Sequence, residues 1–351
     1  MNSEEIELLK SKGIIKNVFE YEGLNNSLEE TYKLFEERFQ ELLSFSSEIF
    51  KIKNPVFYIE NGFSCNASAS RIAEYNIISI TNGYPILMHE KFNKEYFTKV
   101  VLVALLNERK ISDAYADLLE DSNFEFNQFI LECSIEYTFN HEFRHLLQFN
   151  STDEKVDYLF KENLTKDQFD IKKHAWEFDA DRMATYEVLK YVFQEAVRLK
   201  ARKNDKFICL LFLGLSSMVI TKVLFYFGIM NQPQQEQNYF VRKQEFYTNK
   251  YSHPHPLIRV SNIMEYYIEN IKNDFPDVKI DSQTLLNNVT GILKLYLDSI
   301  VPKNKIIQDF FDDWNTYSKE IDTYNNEIYD YAIKDNSIRN LLVSRGVKFE
   351  E

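Results

Sequence analysis

Two histidines four residues apart, with a glutamate after the first, form the segment His141-Glu142-Phe143-Arg144-His145. On a helix, residues i and i+4 share one face, so both imidazoles can reach a single metal ion. Glu142 then lies beside a water molecule on that metal, where its carboxylate can accept a proton. The spacing therefore predicts a zinc site of the hydrolase type, with Glu142 as the general base.

A catalytic zinc ion needs a third protein ligand and an open position for water. Glu177 begins a Glu-x-x-x-Asp pattern that ends at Asp181, in a second helical stretch. We expect Glu177 to be the third ligand and Asp181, one turn further along, to accept an N–H from a ligating histidine. His174, three residues before Glu177, is interpreted as a partly exposed neighbour, with ligation in place of Glu177 as the alternative. The sequence thus predicts one Zn²⁺ per chain, held by His141, His145 and Glu177.

Two long helical patterns carry these residues. From about Phe126, apolar side chains recur every three or four residues, and the stripe runs into His141 and His145. A second pattern, at about 171–199, holds Glu177. Further helical patterns occur at 27–50, where Ser27 begins a capping box, and at 84–109, 256–272, 283–300 and 304–343.

Short β-branched or alternating segments predict strands at 56–59, 64–70 and 75–81. The 64–70 strand is the predicted exposed edge of the sheet, where an extended peptide can add as a further strand. The chain has only 8 glycines and 7 prolines, which is typical of a mostly helical protein with few tight turns. The predicted class is therefore α+β and mostly helical.

Three successive parts are predicted within one continuous globular unit. Residues 1–120 form an N-terminal helix with the small sheet, residues 121–275 form the metal-bearing helical core, and residues 276–351 form a C-terminal helical segment. The length of the chain and its 44% hydrophobic residues are sufficient for a substantial core.

Composition limits the classes of partner and compartment. A formal net charge of −13 argues against nucleic acid as a partner, because phosphate binding needs a basic surface. The three cysteines have no metal-type spacing and the N-terminus lacks the apolar part of a signal peptide, so we expect a cytoplasmic protein. The apolar segment 207–230 is long enough to cross a membrane, but Lys222 interrupts it. A buried core helix is favoured, with a membrane span as the alternative.

The order of the motifs is similar to that of a known group of enzymes. The His-Glu-x-x-His helix, the Glu177 helix, an apolar helix and then His253-Pro254, with Arg259 six residues after the histidine, resemble the Lit-type phage-exclusion peptidases. More distantly, they resemble the HtpX and CAAX-prenyl-protease metallopeptidases. The resemblance covers roughly residues 55–272. It implies a zincin fold of the gluzincin type, in which a small sheet lies over two metal-bearing helices.

Carried over to this sequence, the resemblance implies His141, His145 and Glu177 as the zinc ligands, Glu142 as the general base and Asp181 as the residue that orients a ligand histidine. It also implies that His253 or Arg259 lies near the oxyanion of the substrate. The doubled His-Pro at 253–256 leaves the register open by two residues. His253 is favoured over His255 because it keeps the six-residue step to Arg259.

The predicted function is that of a zinc-dependent endopeptidase acting on a protein or peptide substrate, with phage exclusion or defence as the role that the resemblance implies. One alternative is a regulatory peptidase of the ImmA/IrrE type that cleaves a transcriptional repressor. Another is a non-catalytic helical interaction protein with a structural zinc ion. Glu142 argues against this last alternative, because a structural site needs no general base.

Overall fold

The computed structural model describes residues 3–62, 64–105, 109–151, 158–161, 168–202, 205–227, 230–231, 239–240, 245–278 and 280–343. The helices are α1 (Ser3–Ser11), α2 (Asn26–Phe50), α3 (Gly83–Lys91), α4 (Lys94–Tyr96), α5 (Leu102–Ala104), α6 (Arg109–Leu119), α7 (Phe126–Asn150), α8 (Ile171–Arg198), α9 (Asp205–Phe227), α10 (Pro256–Asp274), α11 (Ser282–Ile300), α12 (Lys305–Thr316), α13 (Ser318–Ala332) and α14 (Asn336–Val343), with a π-helical turn at Phe97–Val101. The strands are β1 (Pro55–Glu60), β2 (Ala67–Ile72), β3 (Tyr75–Thr81), β4 (Tyr158–Lys161), β5 (Met230–Asn231) and β6 (Tyr239–Phe240). The predicted class, α+β and mostly helical, is confirmed.

The main sheet has four strands in the order β1-β3-β2-β4. β1 pairs with β3 in parallel, while β2 is antiparallel to both β3 and β4. The predicted exposed edge at 64–70 is wrong, because β4 pairs with β2 from Ser68 to Arg71. Among the strands described, β4 and β1 are the outer ones, and β1 is joined near its end by a bridge between Val18 and Glu60.

The sheet packs against α7, the longest buried element next to it. Arg71 of β2 donates from Nη1 to the carbonyl oxygen of Phe149 at 2.7 Å, close to the end of α7. Asn150 donates to the Asn76 side-chain oxygen of β3, also at 2.7 Å. These contacts hold one face of the sheet over the C-terminal half of the helix that carries both motif histidines.

Helix α9 is the predicted apolar helix at 207–230. It is long and apolar enough to cross a membrane by length and composition, but 94% of its most apolar 18-residue window is buried within the protein. Two of its hydroxyl groups find partners on α7, where Ser134 Oγ and Thr221 Oγ1 lie 2.6 Å apart and Ser217 donates to the Ile130 carbonyl at 2.8 Å, whereas the buried Ser216 Oγ has no hydrogen-bond partner among the described residues. Buried hydroxyls need such partners, and this pairing fits the core-helix interpretation.

One cluster of buried apolar side chains extends from Tyr32 on α2 to Ile338 on α14. It contains residues from all three parts into which the sequence was divided, including the whole central stretch of α9. The boundaries near residues 120 and 275 stay a prediction.

The bounds of two predicted helices differ from those in the structure. The helix at 27–50 is present, but its N-cap is Asn25, whose side chain accepts from Leu28 N, and Ser27 lies inside the first turn. The helix expected over 84–109 is wrong as one element, because α3 ends at Lys91 and the chain resumes through a π-helical turn. A run of apolar residues predicts burial, but it does not show where the backbone breaks.

The N-cap of α10 yields a prediction about pH. His255 is buried and its Nδ1 accepts from Leu257 N at 3.2 Å. Burial lowers the pKa of His255 to about 3. Below about pH 6.5 the unfolded chain therefore binds a proton at His255 that the folded chain does not bind, so the free energy of unfolding falls as the pH drops. Between pH 7 and pH 5 this group alone removes about 2 kcal/mol of unfolding free energy.

His255→Asn should retain the cap, because asparagine is a favoured N-cap residue, and should remove this titration. Urea unfolding of metal-free protein at the two pH values measures the effect. The variant is expected to lose about 2 kcal/mol less than the parent over that interval. Equal losses in the two proteins would show that His255 does not titrate as its burial requires.

Candidate metal centre

Helices α7 and α8 bring the three predicted ligands together. The Nε2 atoms of His141 and His145 lie 3.1 Å apart, and each lies near a Glu177 carboxylate oxygen, at 3.4 and 3.5 Å. Zinc–ligand bonds of 2.0–2.2 Å in a tetrahedron place neighbouring ligand atoms about 3.3–3.6 Å apart. The two distances to Glu177, which are to Oε2 from His141 and to Oε1 from His145, lie in this range, and the 3.1 Å between the two imidazole nitrogens is slightly shorter. The three side chains are therefore close enough together to share one metal ion.

The number of ligands bears on the type of site. Within the part of the chain that the structure describes, the side chains that could hold a metal ion form one group, composed of His141, His145 and Glu177, and all three are buried. Structural zinc sites are closed by four protein ligands, whereas catalytic sites keep a position for water or substrate. Three converging donors fit the catalytic arrangement.

Asp181 lies against the first histidine, in the position that the predicted orienting role requires. Its Oδ1 lies 3.0 Å from His141 Nδ1 and also accepts from the Tyr137 hydroxyl at 2.8 Å. An ionised carboxylate can only accept, so this contact places the imidazole proton on Nδ1 and the lone pair on Nε2, the atom that faces the other predicted ligands. Burial raises the pKa of Asp181, but Arg259 and then Lys222 outweigh it and hold this pKa below its ordinary value.

Arg259 binds the acidic residues of the site. Its Nε and Nη2 donate to the two oxygens of Asp181, both at 2.7 Å, and its Nη1 lies 2.8 Å from Glu177 Oε2. Nη2 also lies 3.3 Å from His141 Nε2. The side chain is only 3% exposed, so this cation spans the ligand Glu177 and the orienting Asp181 inside the protein.

His253 reaches the same glutamate from the other side. Its Nε2 lies 3.1 Å from Glu177 Oε1, while its Nδ1 lies 3.0 Å from Ser252 Oγ. His255 instead caps α10. Of the two histidines in the doubled His-Pro, His253 is therefore the one at the site. Burial raises the pKa of Glu177, but Arg259 first and His253 second reverse this and hold it well below its ordinary value.

The remaining site residue, Glu142, lies on α7 directly after His141 and is 1% exposed. The structure thus places all seven sequence-predicted residues on three helices and one loop, and none is more than 5% exposed: His141, Glu142, His145, Glu177, Asp181, His253 and Arg259.

His174 is not the partly exposed neighbour that the sequence predicted. It is fully buried, its Nε2 lies 2.7 Å from the Tyr251 carbonyl oxygen and its Nδ1 lies 2.9 Å from the Tyr324 hydroxyl. Burial lowers its pKa to about 4. Both ring nitrogens are engaged in joining α8 to α13 and to the loop before α10, so His174 is a packing residue.

Sequence reasoning missed three polar residues around the ligands. In the sequence, Tyr137 belongs to the apolar stripe of α7, but it lies one turn before His141 and therefore on the same face of the helix. Gln148 follows His145 by three residues, and its Oε1 lies 2.8 Å from His145 Nδ1. Lys222 was read as an interruption of an apolar segment, yet it is buried and acts electrostatically on Asp181. Helical spacing could have identified the first two.

Asp181→Asn tests the orienting carboxylate. An amide can present its oxygen to His141, but it carries no charge to pair with Arg259, and its NH₂ group would then face one of the two Arg259 donors, so zinc affinity should fall by about 10- to 100-fold. Competition with a fluorescent chelator measures this. Asp170→Asn is the matched control, since Asp170 caps the same helix away from the ligands and should leave affinity unchanged. If Asp181→Asn binds zinc as tightly as the parent does, Asp181 is only the ion-pair partner of Arg259 and does not orient His141 for the metal.

Comparison with known proteins gives no further assignment: no family model matches the chain, and no match was found among curated proteins or solved structures.

Proposed function

We propose that this chain is a zinc-dependent endopeptidase with a gluzincin core. The observation that carries the proposal is the convergence of His141, His145 and Glu177 at zinc-ligand separations, with Glu142 next in sequence to the first ligand. The position of the sheet against α7 agrees with the arrangement expected of that fold. The order of motifs, which resembles the Lit-type peptidases, supports phage exclusion or defence as the biological setting.

The chemistry divides between the metal and the carboxylate. When bound, zinc lowers the pKa of a water molecule from ~15.7 to about 7 and polarises the scissile carbonyl group. Glu142 accepts the proton of the attacking water and later delivers it to the leaving amine. Arg259 and His253, both in contact with Glu177, hold the ligand carboxylate in place from two sides. Their cationic and N–H groups also lie near enough to the ligands to favour negative charge there.

The substrate is proposed to bind as an extended strand along β4. Among the strands that the structure describes, β4 is the outer one on the β2 side, and outer strands offer backbone groups with which a peptide can pair. β4 is connected to the site through aromatic stacking, because Tyr158 stacks on Phe149 and Phe149 stacks on His145. A peptide along β4 would therefore pass near the ligand helix, in place of the β2 position expected from the sequence.

The setting proposed for this activity is a reducing cytoplasm. All three cysteines are free and buried, as is usual where disulfides do not form. A protein or peptide partner fits the acidic chain better than nucleic acid does.

The first test of the proposal is metal content. Purified protein should contain about one zinc ion per chain, since two neutral imidazoles and one carboxylate suit zinc geometry. His141→Ala and His145→Ala should each lose the metal, whereas His255→Asn, which alters a buried histidine outside the ligand group, should retain it. Elemental analysis after zinc is supplied measures this. A parent protein without stoichiometric metal would contradict the proposal.

The substrate is best found in cells. Proteins cleaved in cells that express the parent, and intact in cells that express Glu142→Gln, are the candidate substrates, and labelling of newly formed N-termini identifies the cut positions. Cleavage of one host factor during phage infection would support the exclusion role. If no protein is cleaved under any condition, a non-catalytic metal-binding role replaces the proposed one.

A further inference from the structure

We propose that Gln148 is a positioning residue for the second metal ligand: its amide oxygen holds the proton of His145 on Nδ1 and so aims Nε2 at the metal. The inference rests on the proposed metal centre but is independent of what the centre hydrolyses. Asp181 lies against His141 Nδ1 in the same way, and among the residues that the structure describes Gln148 lies against His145 Nδ1.

The orientation of the Gln148 amide follows from its surroundings. Its Nε2 donates to the Trp176 carbonyl oxygen at 3.0 Å and to Asp179 Oδ2 at 2.9 Å. Both partners are acceptors, so the NH₂ group must face them, and the flipped amide would set oxygen against oxygen. The other end of the amide, Oε1, then faces His145 Nδ1 at 2.8 Å. A carbonyl oxygen cannot donate, so Nδ1 carries the proton.

Asp179 is itself held by a buried cation. Arg144 donates from Nε to Asp179 Oδ2 at 2.6 Å and from Nη2 to Oδ1 at 2.8 Å. Arg144, Gln148 and Asp179 are all buried, which strengthens hydrogen bonds within the chain of contacts. Asp179 lies two residues after Glu177 on α8, while Gln148 and His145 lie on α7. The network therefore fixes two metal ligands relative to each other across the two helices.

The choice of an amide in place of a carboxylate has a physical reason. The site already contains the carboxyl groups of Glu142, Glu177 and Asp181, all buried. A further ionised carboxylate beside them would need its own cation, because an uncompensated buried charge is strongly destabilising. A neutral amide accepts the Nδ1 proton without that requirement.

The tautomer can be measured in the parent protein. Long-range ¹H–¹⁵N NMR spectra of protein labelled with ¹⁵N-histidine, at about pH 8, report which ring nitrogen is protonated. We expect a proton on Nδ1 of His145 in both metal-free and zinc-loaded protein. Absence of a proton from Nδ1 in the metal-free protein would overturn the proposal. This result does not depend on whether any peptide is cleaved, so it separates failure of this inference from failure of the proposed function.

Substitutions test the energetic consequence with zinc alone as the probe. Gln148→Met has a similar length but offers only a thioether sulfur, a weak acceptor, in place of the amide oxygen, and its zinc affinity should fall by about 10- to 100-fold. Ser134→Ala is the matched control, because it removes a buried hydrogen-bonding group from the same helix at a distance from the ligands. It should bind zinc as the parent does, even if both variants are less stable.

Gln148→Glu provides the rescue. One carboxyl oxygen can accept from His145 Nδ1, as the amide oxygen does in the parent, and so restores the acceptor that methionine does not supply. Zinc affinity should therefore recover most of what Gln148→Met loses, and the cobalt-substituted spectrum should resemble that of the parent. Equal affinities for the methionine and glutamate variants would overturn the proposal. If either variant fails to fold, the tautomer of the parent protein decides.

Discussion

Glu142→Gln is expected to remove peptide hydrolysis while leaving the fold and the metal in place. The amide keeps the shape of the glutamate and its place on α7 after His141, where the side chain is buried. It cannot take a proton from the attacking water, so turnover should fall by about 10²- to 10⁴-fold. Zinc content by elemental analysis and thermal unfolding should match the parent.

Glu132→Gln is the matched control for that loss. Glu132 is another buried carboxylate of α7, but it pairs with Arg38 Nε at 3.0 Å, far along the helix from the ligands. Its replacement should lower stability without reducing the turnover of the folded protein. Activity of Glu142→Gln within about tenfold of the parent would remove Glu142 from the mechanism. Loss of zinc in the same variant would show that Glu142 supports the site structurally.

The ligand helices could be predicted because their signals are local. His141 and His145 are one turn apart, so a single helix fixes their relation, and Glu177 with Asp181 repeats the same geometry on the next long helix. The side chains that share one face of a helix follow from its 3.6 residues per turn, so they can be predicted without knowledge of the rest of the chain. The sequence therefore identified the residues that the structure brings together.

The contacts between distant segments could not be predicted in this way. β4 pairs with β2 although about 90 residues separate them, and nothing in the short segment 158–161 specifies that register. The expectation that His253 or Arg259 lies near the substrate oxyanion stays a prediction, but the contacts of Arg259 with Asp181 and Glu177 could not be predicted from the sequence. Which buried acid a cation meets depends on how α8 and α10 pack, and hydrophobic patterns give no information about that pairing.

Lys222 shows the same limit within one helix. By composition it weakens an apolar segment, and the sequence permitted both a membrane span and a core helix there. In the structure it is 2% exposed and lowers the pKa of Asp181. A buried lysine is stable when acidic groups lie close to it. The sequence does not show that α8 packs against α9, so it does not show that Asp181 lies close to Lys222.

Arg259→Met should greatly destabilise the metal-free protein. The side chain is 3% exposed and binds two acidic residues, with both Asp181 oxygens at 2.7 Å and Glu177 Oε2 at 2.8 Å. Methionine fills part of the volume but leaves two buried carboxylates without this cation. Removing one partner of such a buried pair lowers the unfolding free energy by about 3–5 kcal/mol. Urea unfolding in the presence of a chelator measures the change.

Zinc should reduce the difference in unfolding free energy between Arg259→Met and the parent. Arg259 Nη1 contacts Glu177 and Arg259 Nη2 contacts His141, and both residues are predicted metal ligands. The guanidinium and a bound metal ion would therefore compensate the negative charge of the same ligand set. With zinc present, the charge of Glu177 is compensated without Arg259, and the variant should lose less stability than it does with chelator. Arg182→Met is the matched control, because Arg182 is mostly buried but packs on the rings of Phe178 and Tyr266 and donates to Asn262. Its loss of stability should be the same with and without zinc. If the Arg259→Met difference is also unaffected by zinc, Arg259 acts only as the partner of Asp181 and has no part in balancing the charge of the metal ligands.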